Sequence, residues 1–259
     1  MKKTLLALIL TSAALPAFSA DYSDGDIHKN DYKWMQANLM YAVDELPGES
    51  SHDYLELEFG GRSGVLDYYG YADVFNLTNS DSSDKAGQDK IFIKFAPRIS
   101  LDALTGKDLS FGPVQEVYLA TLFNWSGNST VNNSFWGLGS DINVPWLGKV
   151  GLNAYGLYDL NNKDWNGYQV STNWFKPFYF FENDSFISYQ GYIDYQFGIK
   201  EQYSSSSNGG VMFNGIYWHS DNYSIGYGLK AYQNVYGIKD SSAFKSSGFS
   251  HYFAVTYKF

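Results

Sequence analysis

Carboxylates set between aromatic rings are the residues of this chain best placed to do chemistry. In LDYYGYADVF (66–75), extended backbone would put Asp67, Tyr69, Tyr71, Asp73 and Phe75 on one face, with Leu66, Tyr68, Gly70, Ala72 and Val74 on the other. Tyr54, Glu56 and Glu58 show the same polar face one segment earlier. Lys90, Phe92, Lys94 and Arg98 then add the opposite charge, and Glu116 and Tyr118 follow. Tyr and Phe rings stack on flat solutes, at about 1–3 kcal/mol per nucleic-acid base. Carboxylates accept hydrogen bonds from hydroxyls, and Lys and Arg donate to ring acceptors. Such a wall suits a flat, hydroxylated solute such as a base or sugar. Read more plainly, the same residues are opposite charges that pair on neighbouring strands and fill space. The residues alone leave both readings open.

Catalysis finds little support. The four histidines, His28, His52, His219 and His251, are scattered, with no H-E-x-x-H spacing, and no G-x-S-x-G elbow or phosphate-cradling glycine loop is present. The absence of cysteine excludes zinc–thiolate sites, disulfides and thiol nucleophiles. The chain is therefore expected to be no enzyme and to need no cofactor or metal. DYSDGDIHKND (21–31) carries four aspartates, which suit a hard cation, but not at EF-hand spacing. It is expected to be a solvated acidic segment. With 18 Lys+Arg against 27 Asp+Glu, the chain lacks the basic footprint that a nucleic-acid polymer needs.

The elements that must position this wall are strands. The opening MKKTLLALILTSAALPAFSA has a basic start, a short apolar stretch and a small-residue site. It is expected to be a signal peptide, residues 1–19, or 1–20 at the poorer cleavage site with Phe18 at −3. The rest, 20–259, is expected to be a single domain. It contains no apolar run long enough for a spanning helix. Instead, twelve alternating stretches recur: 33–43, 53–61, 64–78, 89–101, 112–125, 135–144, 149–160, 165–175, 185–202, 209–220, 223–234 and 248–259. Every second connection is polar and mostly long, as in NSDSSDKAGQ and SGNSTVNNS, whereas GGRSG, PWLG and SDN are tight. Two others, LDALTGKDLSF and FKPFYFFEND, are longer. An even strand number with long loops at one end predicts an all-β fold, a twelve-stranded antiparallel transmembrane barrel of the bacterial outer membrane. A soluble β-sandwich would alternate too. The 19% aromatic content and the closing Phe259, with Tyr257 two places before it, favour the barrel. Such an ending resembles the signal that outer-membrane barrels present to their assembly machinery. FYFF (178–181) is expected to form part of an interfacial aromatic girdle.

Outward faces then read Ile91, Ile93, Phe95 and Ile99, or Phe253, Val255, Tyr257 and Phe259, and the Asp67–Phe75 face turns inward. Hairpin pairing predicts Glu58 opposite Asp67, Glu56 opposite Tyr69, Asp73 opposite Lys94 and Arg98 opposite Glu116. Arg98 would then sit among Glu58, Asp67 and Glu116. A one-residue slip would reverse every face.

YLELEF (54–59), DYYGYADVF (67–75), APRISLDALTGKDLSFGP (96–113), GLGSDI (137–142), DWNGY (164–168) and the closing TYKF resemble the Tsx family of nucleoside-specific outer-membrane channels. ADYSDGDIHKNDYKWMQ (20–36) and KPFYFFE resemble its outer-membrane protein K branch. The resemblance implies a monomeric barrel in contact with outer-membrane lipid and lipopolysaccharide. It implies a narrow, keyhole-like lumen and passive uptake of nucleosides and deoxynucleosides past successive weak sites. It places Glu56, Asp67, Tyr69, Tyr71, Asp73, Arg98 and Glu116 in shared blocks. It also implies loops that serve phages and colicins as receptors, although the loops after 79, 126 and 235 depart from the family pattern.

Overall fold

The hydrocarbon of a bilayer offers no partner to a backbone N–H or C=O, so strands that cross it must close on themselves. The computed structural model, which describes residues 22–128 and 130–259, closes twelve antiparallel strands into one barrel. They are β1 (Tyr32–Glu45), β2 (Ser50–Ser63), β3 (Leu66–Phe75), β4 (Ile91–Ser100), β5 (Val114–Trp125) and β6 (Asn132–Val144), then β7 (Gly148–Asp159), β8 (Asp164–Phe180), β9 (Phe186–Phe197), β10 (Asn208–His219), β11 (Tyr223–Gln233) and β12 (Gly248–Lys258). Sequence neighbours pair throughout, and β1 closes on β12 from Gln36 opposite Lys258 to Val43 opposite His251. The expected signal peptide lies outside the described residues.

Burial is inside-out. Leu39, Leu138, Ile225, Phe253 and Val255 are all more than half exposed, whereas Asn38, Arg62, Asp67, Asp73, Glu116 and Asp141 are buried. A water-soluble domain does the reverse. The apolar faces belong against lipid and the polar faces line the lumen. The barrel end that holds both strand termini also holds the connections 64–65, 101–113, 145–147, 181–185 and 220–222. The loops 76–90, 198–207 and 234–247 lie at the other end, the extracellular one in outer-membrane barrels, and each is longer than every terminal-end connection except 101–113.

Three expectations change. The strands expected at 33–43 and 53–61 leave DELPGESSH between them as a connection, but β1 and β2 extend through it, around a register shift between Ala42 and Glu45, leaving only 46–49 as the turn. FKPFYFFEND, expected to be a connection, is largely strand, because β8 runs on to Phe180. It passes Pro177 at a bulge, where the ladder does not need the missing N–H. Phe178, Tyr179 and Phe180 remain exposed at the terminal end, as an interfacial girdle requires. The acidic segment before β1 does expose Asp24, Asp26 and Asp31, yet it is not a free tail. Tyr22 is buried against Ala103, Ile27 and Val65, Asn30 donates to its hydroxyl at 2.9 Å, and the Arg62 guanidinium lies 5.2 Å from its ring centroid. Asp31 accepts the Gly64 N–H at 2.7 Å. Hydrogen bonds from His28 and from that N–H hold the Asp31 carboxyl below the ordinary aspartate range.

The long 101–113 connection is fixed by two side chains. Ser100 Oγ accepts the Ala103 N–H at 3.0 Å and caps the short helix α1 (Leu101–Thr105). Gly106, at φ 64°, ends it in the left-handed region. Buried Asp102 accepts the Leu109 N–H at 2.8 Å and the Val117 N–H at 2.9 Å, tying the connection to β5. Burial raises its carboxyl above the ordinary aspartate value, against those two donors.

A barrel closed by this many paired strands should stay folded in cold detergent. Unboiled and boiled protein are expected to migrate differently on a denaturing gel. Identical migration would contradict the closed barrel.

Candidate functional site

The predicted wall exists, at a different register. Glu58 lies opposite Tyr71, Glu56 opposite Asp73 and Arg62 opposite Asp67. Tyr71 faces Lys94 and Asp73 faces Phe92. Arg98 faces Ala120, and Glu116 faces Asp141. The expected pairs are therefore displaced by two or four residues. Even displacements keep each side chain on its face, so the lumen composition survives although the partners change.

Near the terminal end, charges lock into a lattice. Arg62 binds Glu116 through two parallel contacts of 2.7 and 2.8 Å, with both side chains under a tenth exposed. This is the bidentate fork that guanidinium geometry favours. Ser100 donates its hydroxyl to the same carboxylate. Arg98 bridges Asp67 at 2.8 Å and Asp141 at 3.0 Å, and its guanidinium covers the Tyr118 ring at 3.9 Å. Lys149 completes the set on Asp141 at 3.0 Å. Tyr118 Oη lies 2.7 Å from Glu116 and 3.1 Å from Asp141, so its one proton can serve either carboxylate. The expected grouping of Arg98 with Glu58 and Glu116 is corrected. Arg62, read as part of a turn, takes Glu116, and Asp141 takes the place given to Glu58.

Nearer the middle of β2 and β3, the carboxylates face neutral donors. Asn38 donates to Glu56 at 2.7 Å and to Glu58 at 3.0 Å, and Gln36 donates to Glu58 at 2.5 Å. Tyr69 gives its hydroxyl proton to Glu58 at 2.8 Å. Buried Asp73 keeps Oδ1 without a hydrogen-bond partner among the described residues. Rings run alongside: Tyr69 to Tyr71 at 6.2 Å between centroids, Tyr71 to Phe92 at 6.1 Å, and Tyr54 to Phe75 at 5.5 Å. Tyr54 is buried against Met40 and Tyr217, whereas Tyr69 keeps 37% of its surface open.

Across the lumen, β9 to β12 add residues that the sequence reading did not include in the wall. Tyr192 stacks on Phe213 at 5.8 Å, and Lys230 Nζ sits 5.0 and 5.4 Å from the Tyr232 and Tyr252 rings. Room for these rings comes from glycine. A Cβ at Gly226 would meet the Tyr217 ring at 2.0 Å, and one at Gly228 would meet Phe213 at 2.2 Å. Lys94 pairs with Asp194 of β9 at 3.1 Å. The signal for Asp194, Asp141 and Lys149 was available, since each falls at an inward position of its strand's alternation.

Breaking a buried ion pair from one side strands a charge, at a typical cost of about 3–5 kcal/mol. Glu116→Ala is expected to lose stability of that order in reversible urea unfolding from vesicles. Arg62→Met combined with Glu116→Leu should recover much of it. A Glu116→Ala protein as stable as the parent would contradict the lattice.

Comparison with known proteins places this geometry in a family. A family model described as "Nucleoside-specific channel-forming protein, Tsx" matches residues 29–259. The chain is 71% identical to outer membrane protein OmpK of Vibrio parahaemolyticus, with 100% of both chains covered. It is 29% identical to the nucleoside-specific channel-forming protein Tsx of Salmonella typhimurium, again over 100% of both. Among solved structures it is similar to a KdgM porin, with a TM-score of 0.48 and 13% identity, covering 86% of this chain and 99% of that one. The twelve-stranded chain is therefore an outer-membrane protein that belongs to the Tsx family of channel-forming proteins, in its OmpK branch.

Proposed function

We propose that the barrel lets nucleosides and deoxynucleosides diffuse passively across the outer membrane, with no cofactor and no bond made or broken. The observation that carries this reading is the β2–β3 wall. There, the open ring of Tyr69 and its neighbours Tyr71 and Phe92 adjoin the Glu56, Glu58 and Asp73 carboxylates. A base stacks on the rings while its sugar hydroxyls donate to the carboxylates. The names of the Tsx relatives support the same solute class. The two halves of the wall have different roles. Asp67, Arg98, Glu116 and Tyr118 are committed to one another and hold the barrel narrow. Glu56, Glu58, Tyr69, Tyr71 and Asp73 meet the solute, with Lys94 and Lys230 opposite as donors.

Charge supports a neutral solute. Removal of the expected signal peptide would leave 16 basic against 27 acidic residues. Such a surface disfavours polyanions. Transport also requires binding weak enough to release, and modest stacking steps meet that need.

Single-channel recording tests the proposal. Adenosine or thymidine should interrupt the current and glucose should not. A channel for other small solutes would not distinguish them, and a receptor with a closed lumen would carry no current. Since each stacked base is worth about 1–3 kcal/mol, Tyr69→Ala with Tyr71→Ala is expected to weaken nucleoside block by roughly tenfold, at 1.4 kcal/mol per decade. Unchanged block would remove both tyrosines from the site.

A further inference from the structure

The Lys94–Asp194 pair differs from every lattice contact in what it spans. Arg62 and Glu116 stand three strands apart, and Arg98 and Asp141 two. Lys94 on β4 and Asp194 on β9 are five strands apart one way round the closed barrel and seven the other, close to diametric. Their 3.1 Å contact therefore crosses the lumen. Both ends are anchored. Lys94 Nζ also lies 5.6 Å from the Tyr192 ring centroid, and Gln169 reaches the other Asp194 oxygen at 3.4 Å.

The two sides of this crossing differ. On the β5–β8 side, Leu122, Phe135, Tyr155 and Leu157 pack into one buried cluster that also meets Ala96 of β4. That side is filled. On the β10–β3 side, Met40, Tyr54, Tyr217 and Tyr252 also pack together, but Tyr69 stays 37% exposed, and Glu56, Glu58 and Tyr71 are only partly covered. Apolar side chains thus pack on both sides of the ion pair, and the partly open carboxylates and tyrosines of β2 and β3 lie on the β10–β3 side.

We propose that Lys94 and Asp194 form a strut across the lumen that confines the passing solute to the β10–β3 sector and sets the width of the channel. This deepens the diffusion-channel reading and rests on it. About a fifth of each side chain is exposed, which leaves the strut open to water and to competing salt. A group that donates and accepts at its edge, as a base does, can exchange with it without leaving either charge bare.

The experiment is single-channel conductance in potassium chloride without nucleoside, together with vesicle uptake of a neutral trisaccharide. Lys94→Met and Asp194→Asn, each checked for heat-modifiable migration, are expected to raise conductance and to lose exclusion of the trisaccharide. The exchanged variant, Lys94→Asp with Asp194→Lys, is expected to restore both. Folded single variants with parental conductance and exclusion would overturn the strut, as would an exchanged variant as open as the single ones. Nucleoside block is scored separately. A conductance rise in the variants with no block in the parent would keep the strut and reject the solute.

Discussion

Everything in this molecule follows from the lack of hydrogen-bond partners in hydrocarbon. Twelve strands satisfy their backbones only because β1 pairs with β12. Closure then fixes two surfaces of opposite character. Lipid accepts Leu, Ile, Val and the aromatic residues outside, and charged side chains of β2 to β5 gather in a shared interior. A strand period of two is enough to sort them.

The interior then has to satisfy itself. Three cations, Arg62, Arg98 and Lys149, meet three carboxylates, Asp67, Glu116 and Asp141, near the terminal end. Fork geometry, a capping serine and a shared tyrosine proton leave little desolvated charge unpaired there. Such locking is incomplete around Tyr69, whose ring stays open to the lumen. Locked and open polar residues thus share one face and differ in how far their partners are internal. Aromatic rings serve both ends of this division, lying flat over glycines on β11 and standing open on β3.

Much of this was legible in the sequence. Strand number, the lipid and lumen faces, and the inward direction of Asp67 to Phe75 follow from alternation, because the contrast between lipid and water acts on every second residue. Register was not legible to the same degree. Turns fix it, and β2 continues through Gly60–Ser63 to a two-residue turn, so Arg62 becomes a lumen residue instead of a loop residue. Pairs moved by even steps for the same reason that the faces held: an odd step would have put charge into lipid. Contacts that cross the lumen were beyond local reading. Lys94 meets a partner 100 residues away, and no periodicity links β4 to β9. The burial of Tyr22 was hidden likewise, since its partners lie on β2 and in the α1 connection.

The absence of cysteine in the natural chain makes one measurement especially direct. Single cysteines placed at Tyr71 and at its neighbour Ala72 can be challenged, in cells, with a charged thiol reagent that does not cross lipid. Tyr71→Cys should react, and thymidine should slow the reaction, while Ala72→Cys should stay silent because it faces hydrocarbon. Labelling at Ala72→Cys with silence at Tyr71→Cys would invert the faces and contradict the account. Labelling at Tyr71→Cys that thymidine leaves unchanged would deny that the solute passes this wall.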